Sequence, residues 1–309
     1  MILVFANTRA ELIKLSPLIK ELKKQGKLFF VIGTGQHDLD YLAKGFNISI
    51  DKYLTDPPTG SSRFGLSKFK ALMWIPTALW KSWRYIIKTK PEYVICHGDT
   101  LSAALVAIAG KFSKSKVVHI EAGLRSDRLF EPFPEEIMRR IISKCADLHY
   151  CPNGIAYFNL KGIEGRKYVG NTIYDLLKSY NIISTPGDYV VSTIHRQENL
   201  KNPERLRMIA NTLNFCNREV RLFAHDPLLK ALNKYGIKMN DNIKISKLSN
   251  HKDFVKVLAG SLFVVADGGS VMEECAFYDK PFIMMRSHTE RTILEPYVGA
   301  SKEIVRDLK

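Results

Sequence analysis

The sequence predicts an α/β fold with two Rossmann-like, doubly wound domains that face each other across a cleft. Short apolar and β-branched runs alternate along the chain with segments of helical periodicity, which is typical of parallel strands joined by helices. The 309 residues, 46% of them hydrophobic, are enough for two medium-sized domains with full cores. Polar and charged residues follow the apolar runs directly, where open parallel sheets collect their ligand-binding groups.

The apolar runs are expected to form strands in both halves of the chain. They are residues 2–6 (ILVFA), 28–33 (LFFVIG), 93–98 (YVICHG), 117–123 (VVHIEAG) and 148–152 (LHYCP), then 189–195 (YVVSTIH), 220–225 (VRLFAH), 243–246 (IKIS), 262–267 (LFVVAD) and 282–286 (FIMMR). Glycines and charged residues cluster between Lys161 and Tyr174, which indicates a boundary between two domains. We expect a first domain at 1–165, a second at 166–290, and a short tail at 291–309 that is able to return to the first domain.

The segment from Val117 to Arg140 concentrates charge around predicted turns. Its apolar strand delivers Glu121 at the C-terminal end, which makes this residue a candidate acid or base. Pro134 then opens a helix at its first position, so that Glu135 and Arg139 fall at i and i+4 on one face. A solvated first turn whose charges compensate the helix dipole explains this charge pattern equally well.

The other strand ends are polar in the same way. The first half contributes Asn7-Thr8-Arg9 with Glu11 and Lys14, then Gly35-Gln36-His37 and His97-Gly98-Asp99-Thr100, and the second half contributes His195-Arg196-Gln197-Glu198-Asn199 and Asp267-Gly268-Gly269-Ser270. Helix caps and turn residues are the alternative interpretation for each. A Gly-Gly-Ser turn that opens a helix also presents free backbone N–H groups to a phosphate.

The composition argues against several classes of protein. The N-terminal segment MILVFANTRAELIK places its basic residue after the apolar run, the reverse of a signal peptide, and no apolar stretch reaches the roughly 18 residues of a membrane span. Five scattered cysteines without CxxC spacing argue against a disulfide framework and a metal site. The formal charge of +15 comes without a nucleic-acid motif, so it favours an anionic substrate. We expect a cytoplasmic protein that binds neither metal nor nucleic acid.

The segment 63–90 mixes aromatic residues with lysines and arginines. Its aromatic residues are Phe64, Phe69, Trp74, Trp80, Trp83 and Tyr85. This composition suits a membrane surface. Packing as a helix pair against the first sheet, or against a dimer partner, is the stronger interpretation. We expect Pro76 to break the helical segment.

Nine motifs, taken in order, resemble those of the UDP-N-acetylglucosamine 2-epimerase family, and the resemblance covers nearly the whole chain. The matching stretches are NTRAELIK, GTGQH, HGDT, HIEAGLRS, FPEEIMRR, VGNT, HRQEN, ADGGSVMEE and HTERT. The resemblance implies a GT-B fold with a UDP-sugar substrate between the domains, no cofactor, a homodimer, and a place in polysaccharide biosynthesis.

The resemblance also implies a reaction and residues that carry it out. The family reaction removes UDP from C1 and the proton from C2 of UDP-GlcNAc, which gives a 2-acetamidoglucal. Asp99, Glu121 and Glu135 match the family's acid and base residues, with individual roles open. His195 matches a histidine at the diphosphate, where a protonated imidazole would neutralise the leaving group. The basic residues that match this site are Arg9, Lys14 and Arg139.

Further residues match the family's substrate contacts. For UDP, Gly269 and Ser270 would offer backbone N–H groups, and Glu274 would hold ribose hydroxyls. Gln36 and His225 resemble positions that contact a second, activating nucleotide sugar in non-hydrolysing members. The remaining matches in substrate-binding motifs are His37, Glu290 and Arg291.

The chain departs from the family pattern at several positions. Ala10 and Thr292 replace prolines, Leu39 stands where a polar residue is expected, and His251 aligns with a tyrosine. Only 18 residues follow Arg291. We expect either an internal deletion of the family's crossover helices or an early stop, and each would loosen the coupling of the two domains.

Three functions remain open at this point. The first is the epimerase, in a non-hydrolysing form that gives UDP-ManNAc or in a form that releases free ManNAc. The second is a GT-B glycosyltransferase that uses a UDP-sugar, and the third is a catalytically weak nucleotide-sugar-binding protein. Three matching carboxylates favour the epimerase over the transferase, because a transferase needs one base for its acceptor hydroxyl. Of the two epimerase forms, we favour the non-hydrolysing one.

Overall fold

Two units, each built around one parallel sheet, make up the protein. The computed structural model describes residues 1–57, 68–126, 134–247, 250–286 and 293–308. The first unit is Met1–Leu176 with Tyr297–Lys309, and the second is Leu177–Pro296. The predicted α/β class with two doubly wound domains is confirmed.

The first unit contains a seven-stranded parallel sheet in the order β3-β2-β1-β4-β5-β6-β7. Its strands are β1 (Ile2–Phe5), β2 (Phe29–Gly33), β3 (Lys52–Tyr53), β4 (Tyr93–His97), β5 (Lys116–Ile120), β6 (Leu148–Cys151) and β7 (Arg166–Tyr168). Its helices are α1 (Arg9–Lys24), α2 (Asp40–Gly45), α3 (Lys68–Thr89), α4 (Leu101–Phe112), α5 (Glu135–Cys145) and α6 (Gly154–Asn159). Helix α7 (Thr172–Ser179) carries the chain into the second unit.

The second unit contains a five-stranded parallel sheet in the order β10-β9-β8-β11-β12. Its strands are β8 (Tyr189–Thr193), β9 (Glu219–Phe223), β10 (Ile243–Ser246), β11 (Val264–Ala266) and β12 (Phe282–Met284). Its helices are α8 (Gln197–Leu200), α9 (Pro203–Asn214), α10 (Asp226–Lys234), α11 (His251–Ala259) and α12 (Gly269–Phe277). The chain then returns to the first unit and forms α13 (Ala300–Asp307).

Each sheet has one point at which the strand order reverses. Strand β1 lies between β2 and β4 in the first unit, and β8 lies between β9 and β11 in the second. Connections leave the two strands at such a point in opposite directions, so a crevice opens at their carboxyl ends, where ligands bind in open α/β sheets. The segments after β1, β4, β8 and β11 are therefore the expected positions of ligand-binding residues.

Helix α1 shows how the sequence specifies this framework. Thr8 caps the helix by accepting a hydrogen bond from the backbone N–H of Glu11. Buried Leu12, Leu15 and Leu22 recur at helical spacing on one face. Only three residues separate the end of β1 at Phe5 from the start of α1 at Arg9, so the polar side chains of the first helical turns lie beside the carboxyl end of the sheet.

Two strands have no counterpart among the predicted runs. Strands β3 and β7 are short edge strands with charged residues, and their sequences, KY and RKY, show no apolar run. Strand β7 pairs with β6, so the first sheet extends beyond residue 165, where we expected the first domain to end. Pro76 lies inside α3, which is one continuous helix of 22 residues, so the expected break there was wrong.

The segment 297–308 is attached to the first unit by side-chain contacts. The Asp175 carboxylate accepts hydrogen bonds from the backbone N–H groups of Gly299 and Ser301, the latter at 2.7 Å. Farther along, Asp307 pairs with Lys167 at 2.9 Å, and Lys27 donates to the carbonyl of Leu308 at 2.6 Å.

Helix α3 includes much of the aromatic segment. Trp74 is buried and donates to Thr55 Oγ1 at 2.8 Å, whereas Trp80 and Trp83 are 51% and 39% exposed. Within the described residues, no helix has the length and apolarity that a bilayer crossing requires.

Candidate active site

Glu121 is the centre of a polar cluster at the carboxyl end of the first sheet. It follows β5 directly, is 9% exposed, and has a backbone φ of 64°. This left-handed conformation is rare for a residue with a side chain and costs about 1 to 3 kcal/mol.

One oxygen of Glu121 gathers three neighbours. The Lys14 ammonium from α1 forms a buried ion pair with Oε2. Asn171 donates to Oε2 at 3.2 Å, and the His97 Nε2 atom lies 3.7 Å away. A buried carboxylate is stable in its charged form only with such partners, so Lys14 and Asn171 favour an ionised Glu121.

A second charged cluster joins the end of β4 to α5. Arg139 extends one arm to the Asp99 carboxylate and another to Glu136 Oε2 at 3.2 Å. Glu136 is fully buried and also binds Arg140 Nε at 3.0 Å and the backbone N–H of Ser126 at 3.1 Å. Glu136 therefore fixes the guanidinium that holds Asp99 in place.

The predicted residue Glu135 begins α5, where its side chain is partly buried, and Pro134 lies just before the helix as its N-cap. The sequence placed Glu135 and Arg139 on one helix face, and the structure adds Glu136, whose carboxylate lies 3.2 Å from the Arg139 guanidinium. On the helix surface positions three apart are neighbours just as positions four apart are, so spacing alone did not separate the two glutamates.

Glu11 is a buried carboxyl group that sequence inspection placed near the site but did not select. It accepts hydrogen bonds from Asn7 N at 2.9 Å, Asn7 Nδ2 at 3.0 Å and Thr100 Oγ1 at 2.6 Å. Burial raises its pKa to about 7, against the opposing effect of these hydrogen bonds. Glu11 ties the loops after β1 and β4 together. The Thr8-x-x-Glu11 spacing of a helix start was the available signal.

The loop after β2 places Gln36 and His37 at the same end of the sheet. Gln36 is buried and accepts a hydrogen bond from Ser102 Oγ. Burial, with help from the nearby positive charge of Arg9, lowers the pKa of His37 to about 4. His37 is therefore uncharged at neutral pH, while Arg9 is exposed.

In the second unit, buried Asp267 organises the loop after β8. Its carboxylate accepts hydrogen bonds from the backbone N–H groups of His195 at 3.0 Å and Arg196 at 2.9 Å, and from the Asn199 amide at 2.9 Å. The ring of His195 lies with Nδ1 3.3 Å from the same carboxylate and with its centroid 6.5 Å from that of His225.

Burial lowers the pKa of His195, and the negative charge of Asp267 opposes this shift. In the unliganded protein the imidazole is therefore neutral at pH 7. The sequence interpretation had a protonated imidazole here. A bound diphosphate would have to supply the negative charge that stabilises the proton.

Helix α12 starts directly after β11 with a glycine-rich turn. Gly268 occupies the N-cap position and makes no side-chain cap, and Gly269 and Ser270 begin the helix. A Cβ on Gly268 would lie 2.4 Å from Cε1 of His195, so only glycine lets the imidazole approach this closely. The first backbone N–H groups of a helix form a binding site for anions, and a neutral histidine beside them adds one N–H donor.

Glu274 lies inside α12 and is 3% exposed. Its Oε1 atom receives a hydrogen bond from His251 Nε2 at 2.9 Å, and the other ring nitrogen of His251 lies 2.8 Å from the hydroxyl of Tyr180. The Oε2 atom of Glu274 is buried without a hydrogen-bond partner in the described part of the chain.

The structure thus brings most of the predicted site residues to the carboxyl ends of the two sheets. In the first unit these are Arg9, Lys14, Gln36, His37, Asp99, Glu121, Glu135 and Arg139, and in the second His195, His225, Gly269, Ser270 and Glu274. Glu290 and Arg291 lie outside the described residues. No group of three or more His, Cys, Asp or Glu side chains in the described ranges has the arrangement of a metal site.

Comparison with known proteins places this geometry in a family. A family model described as UDP-N-acetylglucosamine 2-epimerase matches residues 20–295. The chain belongs to this family. The UDP-N-acetylglucosamine 2-epimerases of Methanocaldococcus jannaschii and Campylobacter jejuni are 31% and 30% identical to it, over 93% and 94% of this chain and 84% and 82% of those proteins.

A crystal structure supports the same family assignment. The UDP-GlcNAc 2-epimerase of Methanocaldococcus jannaschii in complex with UDP-GlcNAc and UDP has a TM-score of 0.77 and 27% identity, with 99% of this chain and 91% of that chain covered. The resemblance seen in the nine motifs is confirmed, and so is the GT-B fold class.

Proposed function

We propose that this protein is a UDP-GlcNAc 2-epimerase that interconverts UDP-GlcNAc and UDP-ManNAc. The observation that carries the proposal is Glu121, a strained and buried carboxylate paired with Lys14 and Asn171 in a member of this family. Strain and buried charge at one residue are costs that a purely structural position avoids.

The reaction has two balanced steps. In the first, a base removes the C2 proton, the C2–H electron pair forms the C1=C2 bond of a 2-acetamidoglucal, and UDP leaves C1 with the electrons of the C1–O bond. In the second, a UDP oxygen forms the bond to C1 again, and an acid delivers a proton to the opposite face of C2. The C2 proton is weakly acidic, so a positioned base and stabilisation of the leaving diphosphate are both required.

The first unit supplies the acid and base chemistry in this proposal. Asp99, Glu121 and Glu135 are the candidate carboxylates, with their individual roles left open. Lys14 holds Glu121 and Arg139 holds Asp99, each in a buried or half-buried ion pair. Such pairs orient a carboxylate before substrate arrives. Arg9 and His37 are further candidates for substrate contacts.

The second unit supplies the nucleotide contacts. Gly269 and Ser270 would direct backbone N–H groups at the diphosphate, and His195 would donate a hydrogen bond as a neutral imidazole or become protonated against the anion. The Oε2 atom of Glu274, which has no hydrogen-bond partner among the residues that the structure describes, would accept ribose hydroxyls. Glu290 and Arg291 complete the set of proposed substrate residues.

The non-hydrolysing form is our proposal for the outcome. Gln36 and His225, which resemble contacts to an activating nucleotide sugar, support it. In that form UDP is retained until it adds again to C1, so the product is UDP-ManNAc and not free ManNAc.

NMR of UDP-GlcNAc incubated with the protein in D2O tests the function directly. The expected product is UDP-ManNAc that carries deuterium at C2, because a carboxylic acid exchanges its proton with solvent before it reprotonates the opposite face. Free ManNAc with deuterium at C2 would establish the hydrolysing form. Release of UDP with unchanged gluco configuration would move the protein to the hydrolases or transferases, and an unchanged substrate would leave a binding protein.

We also propose a cytoplasmic homodimer in which the exposed Trp80 and Trp83 of α3 are covered by the partner. Analytical ultracentrifugation of the wild type and of a Trp80→Ser, Trp83→Ser variant checks this. A dimer that becomes monomeric in the variant is expected. A wild-type monomer that binds anionic lipid vesicles would favour the membrane-surface alternative.

A further inference from the structure

Three residues from different segments of the second unit are linked by two consecutive hydrogen bonds. Tyr180 follows α7, His251 begins α11, and Glu274 lies in α12. The Tyr180 hydroxyl lies 2.8 Å from His251 Nδ1, and His251 Nε2 lies 2.9 Å from Glu274 Oε1. His251 is 8% exposed and Glu274 3%, so water contributes little to either group.

The direction of these hydrogen bonds follows from the chemistry of the groups. An ionised carboxylate only accepts, so Nε2 of His251 must carry the proton that faces Glu274. The Tyr180 hydroxyl is able to donate to an unprotonated Nδ1 and thereby favours this tautomer of the ring. Without Tyr180, Nδ1 of His251 loses this partner, and of the two hydrogen bonds that hold the ring only the one to Glu274 remains.

The consequence lies at the other oxygen of Glu274. Oε1 is occupied by His251, whereas Oε2 is buried and has no hydrogen-bond partner within the described residues. An unsatisfied buried carboxylate oxygen is costly. A ligand that donates a hydrogen bond to Oε2 would remove this cost. Because His251 binds Oε1, it determines that Oε2 is the oxygen available to the ligand.

We propose that His251, whose Nδ1 is held by Tyr180, is a positioning residue that orients Glu274 so that its second oxygen accepts the ribose hydroxyls of UDP. The proposal rests on the proposed function, in which Glu274 holds the ribose. It adds two residues that do not touch the ligand and act through Glu274. The family pattern predicted a tyrosine at position 251, so this histidine is a feature of this chain.

Calorimetry with two ligands isolates the effect on the ribose. UDP carries both ribose hydroxyls, and 2′,3′-dideoxyuridine diphosphate lacks both. The wild type should bind UDP roughly 10- to 100-fold more tightly than the dideoxy compound, since a hydrogen bond to a charged group contributes about that factor. In His251→Phe the UDP affinity should fall roughly 10-fold while the dideoxy affinity changes less than about 3-fold.

Two further variants separate positioning from packing. His251→Gln keeps a side-chain N–H donor and should recover most of the UDP affinity. Tyr180→Phe leaves the histidine in place without its tautomer partner and should weaken UDP by a few-fold with no effect on the dideoxy compound. Circular dichroism melting checks that each variant is folded, and Tyr180→Phe provides the test if His251→Phe is not.

The outcomes distinguish this inference from the function beneath it. If His251→Phe keeps full affinity for UDP, or if it weakens both ligands equally, His251 does not act on the ribose and the inference is overturned. In these cases the proposed function still stands, provided that the wild type binds UDP more tightly than the dideoxy compound and that Glu274→Gln loses this preference. A wild type that binds both ligands equally would overturn the ribose role of Glu274 and this inference with it.

Discussion

The polar ends of the two sheets hold charge in opposite ways. In the first unit, Glu121 and Asp99 are paired with the cations Lys14 and Arg139. In the second, Asp267 binds mainly backbone N–H groups and Glu274 binds a histidine. Cation pairs orient a carboxylate, whereas a carboxylate that accepts hydrogen bonds from backbone N–H groups fixes the conformation of a loop. This difference is consistent with the proposal that the first unit supplies the acid and base chemistry and the second unit binds the nucleotide.

The largest expected effect separates chemistry from binding. Glu121→Gln, Asp99→Asn and Glu135→Gln should each lower turnover by about two to four orders of magnitude, because each removes a positioned acid or base. UDP affinity, measured by calorimetry, should stay near that of the wild type. Asp188→Asn, which breaks an exposed pair with Arg218 in the second unit, is the matched control. Near-normal turnover in all three carboxylate variants would refute the division between the two units.

The converse prediction concerns Asp267. Asp267→Asn keeps the size but replaces one acceptor oxygen with an NH2 group that faces backbone donors. At least one of the N–H groups of His195 and Arg196 then loses its partner, so the free energy of unfolding of the second unit should fall by roughly 2 to 4 kcal/mol. Urea denaturation measures this loss. UDP affinity should fall as well, and a variant with wild-type stability and affinity would show that Asp267 does not support the site.

The third prediction uses the pH dependence of stability. The pKa of Glu11 is raised from 4.5 to about 7 by folding, so the folded state binds this proton more tightly than the unfolded state. Its contribution to stability is full below about pH 4.5 and is lost as pH rises through 7, by ~3 kcal/mol. In Glu11→Gln this loss should disappear.

Denaturation of the wild type and Glu11→Gln at about pH 5 and pH 8 gives the comparison. Buried histidines such as His37, whose pKa is lowered, act in the opposite direction in both proteins and cancel in the difference. Parallel curves for the two proteins would contradict the raised pKa.

The smallest expected effect is local to the second unit. Gly268→Ala introduces a Cβ 2.4 Å from Cε1 of His195, although the backbone φ of −98° suits alanine. The half-exposed imidazole should move aside, so UDP affinity should weaken by ~1 kcal/mol, a few-fold. Thermal stability should change little. Gly45→Ala, whose Cβ meets no atom within 4 Å, is the control, and an unchanged UDP affinity in Gly268→Ala would separate His195 from the diphosphate.

Much of the fold could be predicted from the sequence because buried parallel strands are apolar runs. Strand β4, for example, has the sequence YVICH, and a mostly apolar run of five residues is typical of a buried strand and too short for a helix. Edge strands β3 and β7 were not predicted, because one side of an edge strand faces solvent and its sequence needs no apolar pattern. The continuity of α3 through Pro76 was also missed, because propensity does not include the packing of Trp74 and Ala78 on either side of the proline.

The candidate site was predictable in outline only. Motif order located Glu121 and Asp99, since polar residues at strand ends stand out. It did not select Glu11 or Glu136, because the role of each depends on contacts with residues outside its own helix, such as Thr100 and Ser126. It also did not reveal that His251 would reach Glu274, because the two lie on different helices.

The return of the chain to the first unit has a consequence for how the protein folds. Residues 177–296 form an insertion within a unit whose last helix, α13, arrives only after them. During synthesis the second unit, which is continuous in sequence, can complete itself while the first still lacks the segment that Asp175 and Lys27 hold. The first unit is therefore completed late, when residues 297–308 have left the ribosome. Until then, the surface of α1 that these residues cover remains accessible to chaperones and proteases.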